Sequence, residues 1–228
     1  MGKGRILVVV PTRGRPDNVR RLETARLETH SRCADFLYAL DDDDPERGRY
    51  LEIGLDRVAM GPRLRLVGTL NQVALKYADR YPWIGFMGDD HLPRTEHWDT
   101  AVQSALDREG PAVVYGDDRI QGANLPTAVF MPSRVVTALG FFAPPVLTHL
   151  YADNFWLALG QALGGLVHLP DVVIEHLHPV GGTAPWDDRY AEVNAPSVDT
   201  ADRAAWEAFV SDGRFARAVD RVKEEYGL

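Results

Sequence analysis

The sequence predicts an α/β fold, with a mostly parallel, doubly wound central sheet and helices on both of its faces. Three observations carry this. The run Ile6-Leu7-Val8-Val9-Val10 is continuously apolar, as in a strand buried on both faces. Comparable runs recur at Phe36 to Leu40 and Trp83 to Met87, separated by helix-like segments, and such alternation builds parallel sheets with crossover helices. These strands also end in polar residues, which a parallel topology gathers along one sheet edge, where ligands of open α/β sheets bind.

The first strand, Ile6 to Val10, ends at Pro11-Thr12-Arg13. Asp17 is placed to cap a helix through about Thr29, with Val19, Leu22 and Leu27 turned to a core. The second strand, Phe36 to Leu40, runs into Asp41-Asp42-Asp43-Asp44-Pro45. Leu64 to Val67 reads as the third strand, and Asn71 as the cap of a helix through Ala78. Trp83 to Met87 is the fourth strand and delivers Gly88-Asp89-Asp90-His91.

Thr95 to Asp107 reads as a helix with Trp98, Val102 and Leu106 on one side, followed by a strand at Ala112 to Tyr115. The alternation fades from about Gln121. Val129 to Met131 is a short strand, Ser133 caps a helix through Leu139, and Gly140 to Pro145 is a turn-rich loop. Asp153 to Leu163 reads as helix, and Val172 to Ile174 as a last strand entering Glu175-His176-Leu177-His178. A loop at Gly181 to Pro185, acidic small-residue sequence to about Asp202, and a charged helical segment from Ala204 to Tyr226 complete the chain. The chain divides softly near residue 92, without a clear linker.

At 228 residues, 45% of them hydrophobic and 25% charged, the chain suits one large domain or two fused halves. A net charge of −8 argues against a generic polyanion binder. Arg13, Arg15, Arg20, Arg21 and Arg26 nevertheless crowd the N-terminal region; they read as a solvated loop and helix face, with one or two free to meet a phosphate. The single cysteine, Cys33, excludes an internal disulfide. The apolar runs are too short for a leader core or a membrane span, so a soluble, cytoplasmic protein with no membrane partner is expected.

Asp89, Asp90 and His91 offer oxygen and nitrogen donors to a divalent cation, Mg2+ or Mn2+, with a histidine ligand favouring Mn2+. The competing reading is a solvated acidic turn. Asp41 is suited to accept hydrogen bonds from a base N–H or from ribose hydroxyls. His176 and His178 alternate to the same side of an extended segment, as paired ligands would. Asp153 is either the cap of its helix or a general base for an acceptor hydroxyl.

In order along the chain, these pieces resemble the GT-A-fold glycosyltransferases, especially the family 2-like enzymes that use nucleotide-diphosphate sugars. Ile6 to Pro16 looks like their opening strand and Pro-Thr loop, and Asn71 to Ala78 is similar to the Asn-led helix before their metal motif. Gly88-Asp89-Asp90 stands at their D-x-D signature, with Gly88 in place of the first acid; read as D-x-H, Asp89-Asp90-His91 would enlist His91. Leu139-Gly140-Phe141-Phe142 looks like their Leu-Gly-Gly-Phe turn, and Tyr151-Ala152-Asp153-Asn154 stands where they carry Glu-Asp, with Ala152 replacing the Glu. Val173 to His176 resembles the strand whose terminal histidine completes the metal site.

The resemblance implies a GT-A, Rossmann-like fold with a smaller acceptor-side β region. Residues 1–180 would be the catalytic domain, with a nucleotide-binding half at about 1–92 and an acceptor half at 93–180; residues 181–228 would form a C-terminal loop and helical extension. It implies a metal-dependent transferase of the hexosyl type. Asp90 and His176 would hold the metal with help from Asp89, and Pro11, Thr12, Arg13, Asp41, Asn71 and Asp89 would bind the nucleotide. Asp153 would be the catalytic base, and His91 and His178 remain alternative ligands. The acceptor is left open among a glycan, a protein, a small molecule and a modified DNA base. Trp186-Asp187-Asp188-Arg189-Tyr190 only faintly resembles the Q-x-x-R-W element of processive members, lacking its Gln and Trp, and Gly181 to Tyr190 is expected to act as a lid. A sugar-phosphate nucleotidyltransferase ranks lower, because only Gly14 follows the first strand where a Gly-rich loop is usual. A silent nucleotide-sugar binding module is the third reading.

Overall fold

The computed structural model describes residues 4–108 and 110–228. In chain order the strands and helices are β1 (Ile6–Thr12), α1 (Pro16–Thr29), β2 (Ala34–Asp41), α2 (Arg47–Leu51), β3 (Val58–Gly61), α3 (Arg65–Tyr77), β4 (Trp83–Phe86), β5 (His91–Pro93), α4 (Trp98–Leu106), β6 (Val113–Asp117), β7 (Val129–Pro132), α5 (Ser133–Leu139), α6 (Ala152–Ala162), β8 (Leu166–His176), α7 (Asp188–Val193), α8 (Pro196–Ser211) and α9 (Arg214–Tyr226). The strands form one sheet in the order β3-β2-β1-β4-β7-β6-β8-β5. β3, β2, β1 and β4 run parallel, as do β6 and β8, while β7 and β5 pair antiparallel to their neighbours.

The unbroken apolar run of β1 is explained by its position between two cores. Leu7 and Val9 join the apolar cluster of α3, α5, α6 and α9, while Ile6, Val8 and Val10 join that of α1 and α4. Successive side chains of a strand point to opposite faces, so a strand covered on both sides carries no polar register. Phe209 of α8 and Ala218, Val219 and Val222 of α9 lie in the first cluster, so the C-terminal helices share a core with the sheet. Among the described residues, no helix is long and apolar enough to cross a membrane.

Several local expectations are corrected. The third strand is Val58–Gly61; Leu64 to Val67 instead opens α3. β3 is the sheet edge and leaves Val58 and Met60 exposed, so it lacks the apolar run that marked its partners. Asn71 lies inside α3 and caps nothing. Asp17 sits in the first turn of α1 beyond Pro16 and pairs with Arg20 and Arg49, whereas Leu27 is exposed. Ser133 is the first residue of α5, and its hydroxyl donates to the carbonyl of Tyr81 rather than capping.

β8 begins at Leu166, well before Val172, because a bulge beside Gly116/Asp117 moves the β6 register from Leu169 to Val173 and absorbs the Pro170-Asp171 interruption. The acidic, small-residue stretch after Pro185 contains α7, and α8 starts at Pro196 rather than Ala204.

Candidate active site

The carboxyl ends of β1, β2 and β4 open into a cleft of about 250 Å³. Pro11, Thr12, Arg13 and Asp41 line it from the first two strands, Asp89, Asp90 and His91 from the turn into β5, and His176 and His178 from the end of β8. Asp153 enters from α6. Asn71 is not on its wall. The Asn71 carboxamide accepts from the backbone N–H groups of Phe142 (2.7 Å) and Ala143 (2.9 Å) and donates to the Ala143 carbonyl (2.8 Å), so it ties α3 to the Phe142-Ala143 loop.

Asp90 is the centre of the site. β5 and β8 pair so that His91 faces His176 across the sheet, and the two imidazoles stack at 4.1 Å. Asp90 Oδ1 lies 3.2 Å from His91 Nδ1 and 3.6 Å from His176 Nε2. Each of these residues has a ligand atom within 4.8 Å of the other two. Burial opposes ionisation of Asp90, but the neighbouring imidazoles, His176 first and then His91, hold its carboxyl well below the usual range.

This donor set fits a cation. His91 Nδ1 accepts the Gly88 N–H at 3.1 Å, which puts the ring proton on Nε2, a buried atom with no partner. One nitrogen cannot accept from Gly88 and also donate to Asp90. His91 Nδ1 and the Asp90 oxygen therefore stand 3.2 Å apart with no proton between them, and a positive ion that took the Nδ1 lone pair over from the Gly88 N–H would relieve that contact. Burial, and then the charge of His176, push the His91 imidazole below its ordinary pKa, toward the neutral form that ligates metals.

Gly88, at the position of the missing first acid, has a steric reason. A Cβ there would stand 2.5 Å from Asp90 Oδ1 and 2.8 Å from His91 Nδ1. The volume a first aspartate would need is already taken by the donor cluster.

Asp89 faces a different set of partners. It accepts from Thr12 Oγ1 (2.6 Å) and Asn18 Nδ2 (3.3 Å), with Arg15 Nη1 at 3.5 Å. Burial first, then the charge of Asp90, raise its pKa to about 6. A carboxyl that holds its proton more tightly folded than unfolded stabilises the fold fully below about pH 4, and that contribution is lost as pH rises through about 6. Asp89→Asn is therefore expected to stabilise the metal-free protein at pH 7 by about 2 kcal/mol and to have little effect at pH 4, as read from urea unfolding at both values. The hydroxyls of Thr12 and Tyr50, 3.1 Å apart, can reverse direction to accommodate the amide.

Sequence reasoning missed two residues. Arg15 was read as part of a solvated basic face, yet its side chain is only 10% exposed. It pairs with Asp187 at 2.6 Å, approaches Asp90 Oδ2 at 3.6 Å and lies 3.9 Å over the Tyr190 ring. Tyr190, buried on α7, has its hydroxyl 2.8 Å from both Asp90 Oδ2 and the Leu177 carbonyl. Its single proton goes to the charged acceptor. Asp90 thus has one oxygen restrained by Tyr190 and Arg15 and the other turned to the histidines.

Only the Trp186-to-Tyr190 motif hinted at such a role. The segment expected to be a lid is docked here through Asp187 and Tyr190, while Trp186 stays exposed. Tyr190→Phe should weaken Mn2+ binding about tenfold, measured by calorimetry, because groups that orient a metal ligand are worth about that much.

The other basic residues divide: Arg13 and Arg26 leave the solvated face, whereas Arg20 and Arg21 are exposed on it, as expected. Arg26 is buried against Glu23, and Arg13 pairs with Asp41 (3.1 Å) and with Asp43; Arg20 and Arg21 bond Asp17 and Asn18 on the outside of α1. Burial raises the Asp41 pKa against the opposing effect of Arg13. Asp44 is buried and accepts from Gly14 N (2.8 Å), in a turn where Gly14 has φ of 68°.

Asp153 lies in the first turn of α6, with its Oδ1 accepting from Asn154 N at 2.9 Å. Burial raises its pKa, with the backbone N–H groups opposing. His178 lies beside His176, ring to ring at 5.0 Å, but outside the Asp90, His91 and His176 cluster; its Nδ1 accepts from Val180 N at 3.2 Å and its ring meets Tyr190 edge-on.

The sequence matches no protein-family profile and no curated protein. The fold matches solved structures. A mannosyltransferase of Pyrobaculum calidifontis, PcManGT, in complex with GDP-Man and Mn2+, aligns at TM-score 0.59 and 13% identity over 92% of this chain and 76% of its own. Glucosyl-3-phosphoglycerate synthase of Mycobacterium tuberculosis, in complex with Mn2+, UDP and phosphoglyceric acid, aligns at TM-score 0.59 and 12% identity over 89% of this chain and 78% of its own. TarS of S. aureus aligns at TM-score 0.58 and 10% identity over 76% of this chain, which spans 37% of that longer protein. At such identities the likeness speaks for the fold: the chain has the GT-A, Rossmann-like fold of nucleotide-sugar-dependent glycosyltransferases.

Proposed function

We propose that the protein is a metal-dependent glycosyltransferase that passes a sugar from a nucleoside-diphosphate sugar to an acceptor hydroxyl. The observation that carries this reading is the Asp90, His91 and His176 cluster at the ligand-binding edge of a GT-A sheet. In it, Asp90 would give one oxygen and His176 one nitrogen to the ion, with His91 as the third donor once Nδ1 releases the Gly88 N–H. A divalent cation there would neutralise charge on a departing diphosphate and so lower the barrier. Asp89, held by Thr12 and Arg15, supports the site from behind.

Pro11, Thr12, Arg13 and Asp41 shape the nucleotide end of the cleft, with Asn71 acting through the Phe142-Ala143 loop. Asp153 takes the proton from the acceptor hydroxyl. Its raised pKa makes it a better base than a solvated carboxylate, provided the pH keeps it ionised.

The complexes of the neighbouring structures make uridine and guanosine diphosphate sugars the first donors to test. With Mn2+ present, one of them should raise the melting temperature and be hydrolysed slowly to the nucleoside diphosphate. Failure of every donor to bind with Mn2+ would reject the reading. Release of pyrophosphate from a nucleoside triphosphate would instead favour a nucleotidyltransferase.

A further inference from the structure

The cleft has another wall, built by the start of α3, residues 148–151 and α7, of which the donor cluster uses only Tyr190. Arg65 and Arg189 both line the cleft there. Together with Arg63 they share a single carboxylate, Glu192: Arg189 at 2.9 Å, Arg65 at 3.4 Å and Arg63 in direct contact. Three guanidinium groups on one acid leave a local surplus of positive charge in a protein whose net charge is −8. Positive charge set in a cleft attracts and concentrates anions.

The backbone on this wall is strained. Arg65 (φ 59°) and Tyr151 (φ 66°) both adopt the left-handed conformation, and neither is glycine. Their segments are stitched by Val67 N donating to the Thr148 carbonyl at 3.3 Å. Strain of this kind persists where surrounding structure enforces it, and it gathers at binding sites.

His149 adds a third group to the wall. Asp202 of α8 accepts from the backbone N–H groups of Thr148, His149 and Leu150 at 2.8 to 2.9 Å and so fixes the loop. His149 lines the cleft, and its Nδ1 is buried with no hydrogen-bond partner among the described residues. Burial, and then the charge of Arg189, lower its pKa to about 4, so at neutral pH it is an uncharged imidazole.

We propose that Arg65, Arg189 and His149 bind an anionic group, a phosphate or carboxylate, carried by the acceptor. The guanidinium fork matches either group, and ion pairs as exposed as those to Glu192 are weak enough to exchange partners. The acceptor is favoured over the donor because the loop through His149 and Tyr151 leads directly into α6, which carries Asp153. The name acceptor rests on the transferase reading; the anion site does not.

The experiment titrates inorganic phosphate, and separately acetate, by calorimetry into protein saturated with Mn2+ and nucleoside diphosphate, and into protein without either. Phosphate, acetate or both should bind in both states. The Arg65→Gln/Arg189→Gln double variant should weaken this binding at least about tenfold, while Arg80→Gln, a charge loss in the exposed turn after α3, should leave it unchanged.

Lack of anion binding to the wild type, or undiminished binding to a double variant that melts like the wild type, would overturn the proposal. So would complete competition by the nucleotide together with weaker nucleotide binding in the double variant, since the arginines would then serve the donor. Anion binding that follows the proposal in a protein that binds no nucleotide with Mn2+ would retain the anion site and reject the transferase reading.

Discussion

Asp90→Asn is expected to abolish measurable Mn2+ binding and to lower metal-dependent turnover by at least about 10³-fold. The amide keeps the shape of the carboxylate, and an oxygen remains to accept from Tyr190. What disappears is the negative charge between His91 and His176. Because the charge of Asp90 is the second cause of the raised Asp89 pKa, the substitution should also bring the Asp89 titration down from about 6. Calorimetry with Mn2+ and an unfolding curve separate these effects from loss of fold. A variant that binds Mn2+ within about threefold of wild type, less than the tenfold that 1.4 kcal/mol produces, would remove Asp90 from the site.

Asp153→Asn has the next largest expected effect, of a different kind. A positioned base contributes about 10²- to 10⁴-fold, so kcat should fall by about 10³-fold while Mn2+ and donor affinities stay as in the wild type. The wild-type rate should fall as pH drops through the raised Asp153 pKa, and the variant should lose that limb. Should donor affinity collapse along with kcat, Asp153 would be holding the donor rather than accepting a proton. Comparing the pH dependence of donor affinity with that of kcat decides between these roles.

β1, β2 and β4 were readable because each is buried on both faces and carries an unbroken apolar run. β3 was not, since an edge strand with one open flank has no such run. The middle of β8 was hidden by Pro170-Asp171, which a bulge tolerates but a local pattern reports as a break. Asn71 was noticed as a polar residue opening an apolar stretch; its actual partners, Phe142 and Ala143, are remote in sequence and could not be inferred from α3 alone.

The same limit applied at the site. Asp90 and His176 each stood at the end of a legible strand, but the joining of Arg15 to Tyr190 left no local trace. Gly88 looked like a lost acid when read against a motif. In the folded chain it is the residue that leaves room for the Asp90 and His91 side chains.

The pairing of β5 with β8 has a consequence for how the protein matures. His91 and His176 are far apart in sequence and meet only when this short antiparallel pairing at the sheet margin has formed. Contacts between distant segments bear a large loop-closure entropy and tend to form late in folding. On the proposed metal site, a nascent or partly folded chain would have isolated histidines rather than a chelating pair, and would gain its metal affinity only once β5 has paired with β8. Metal capture would then mark the completion of folding, and the bound ion would fasten the last strand in place.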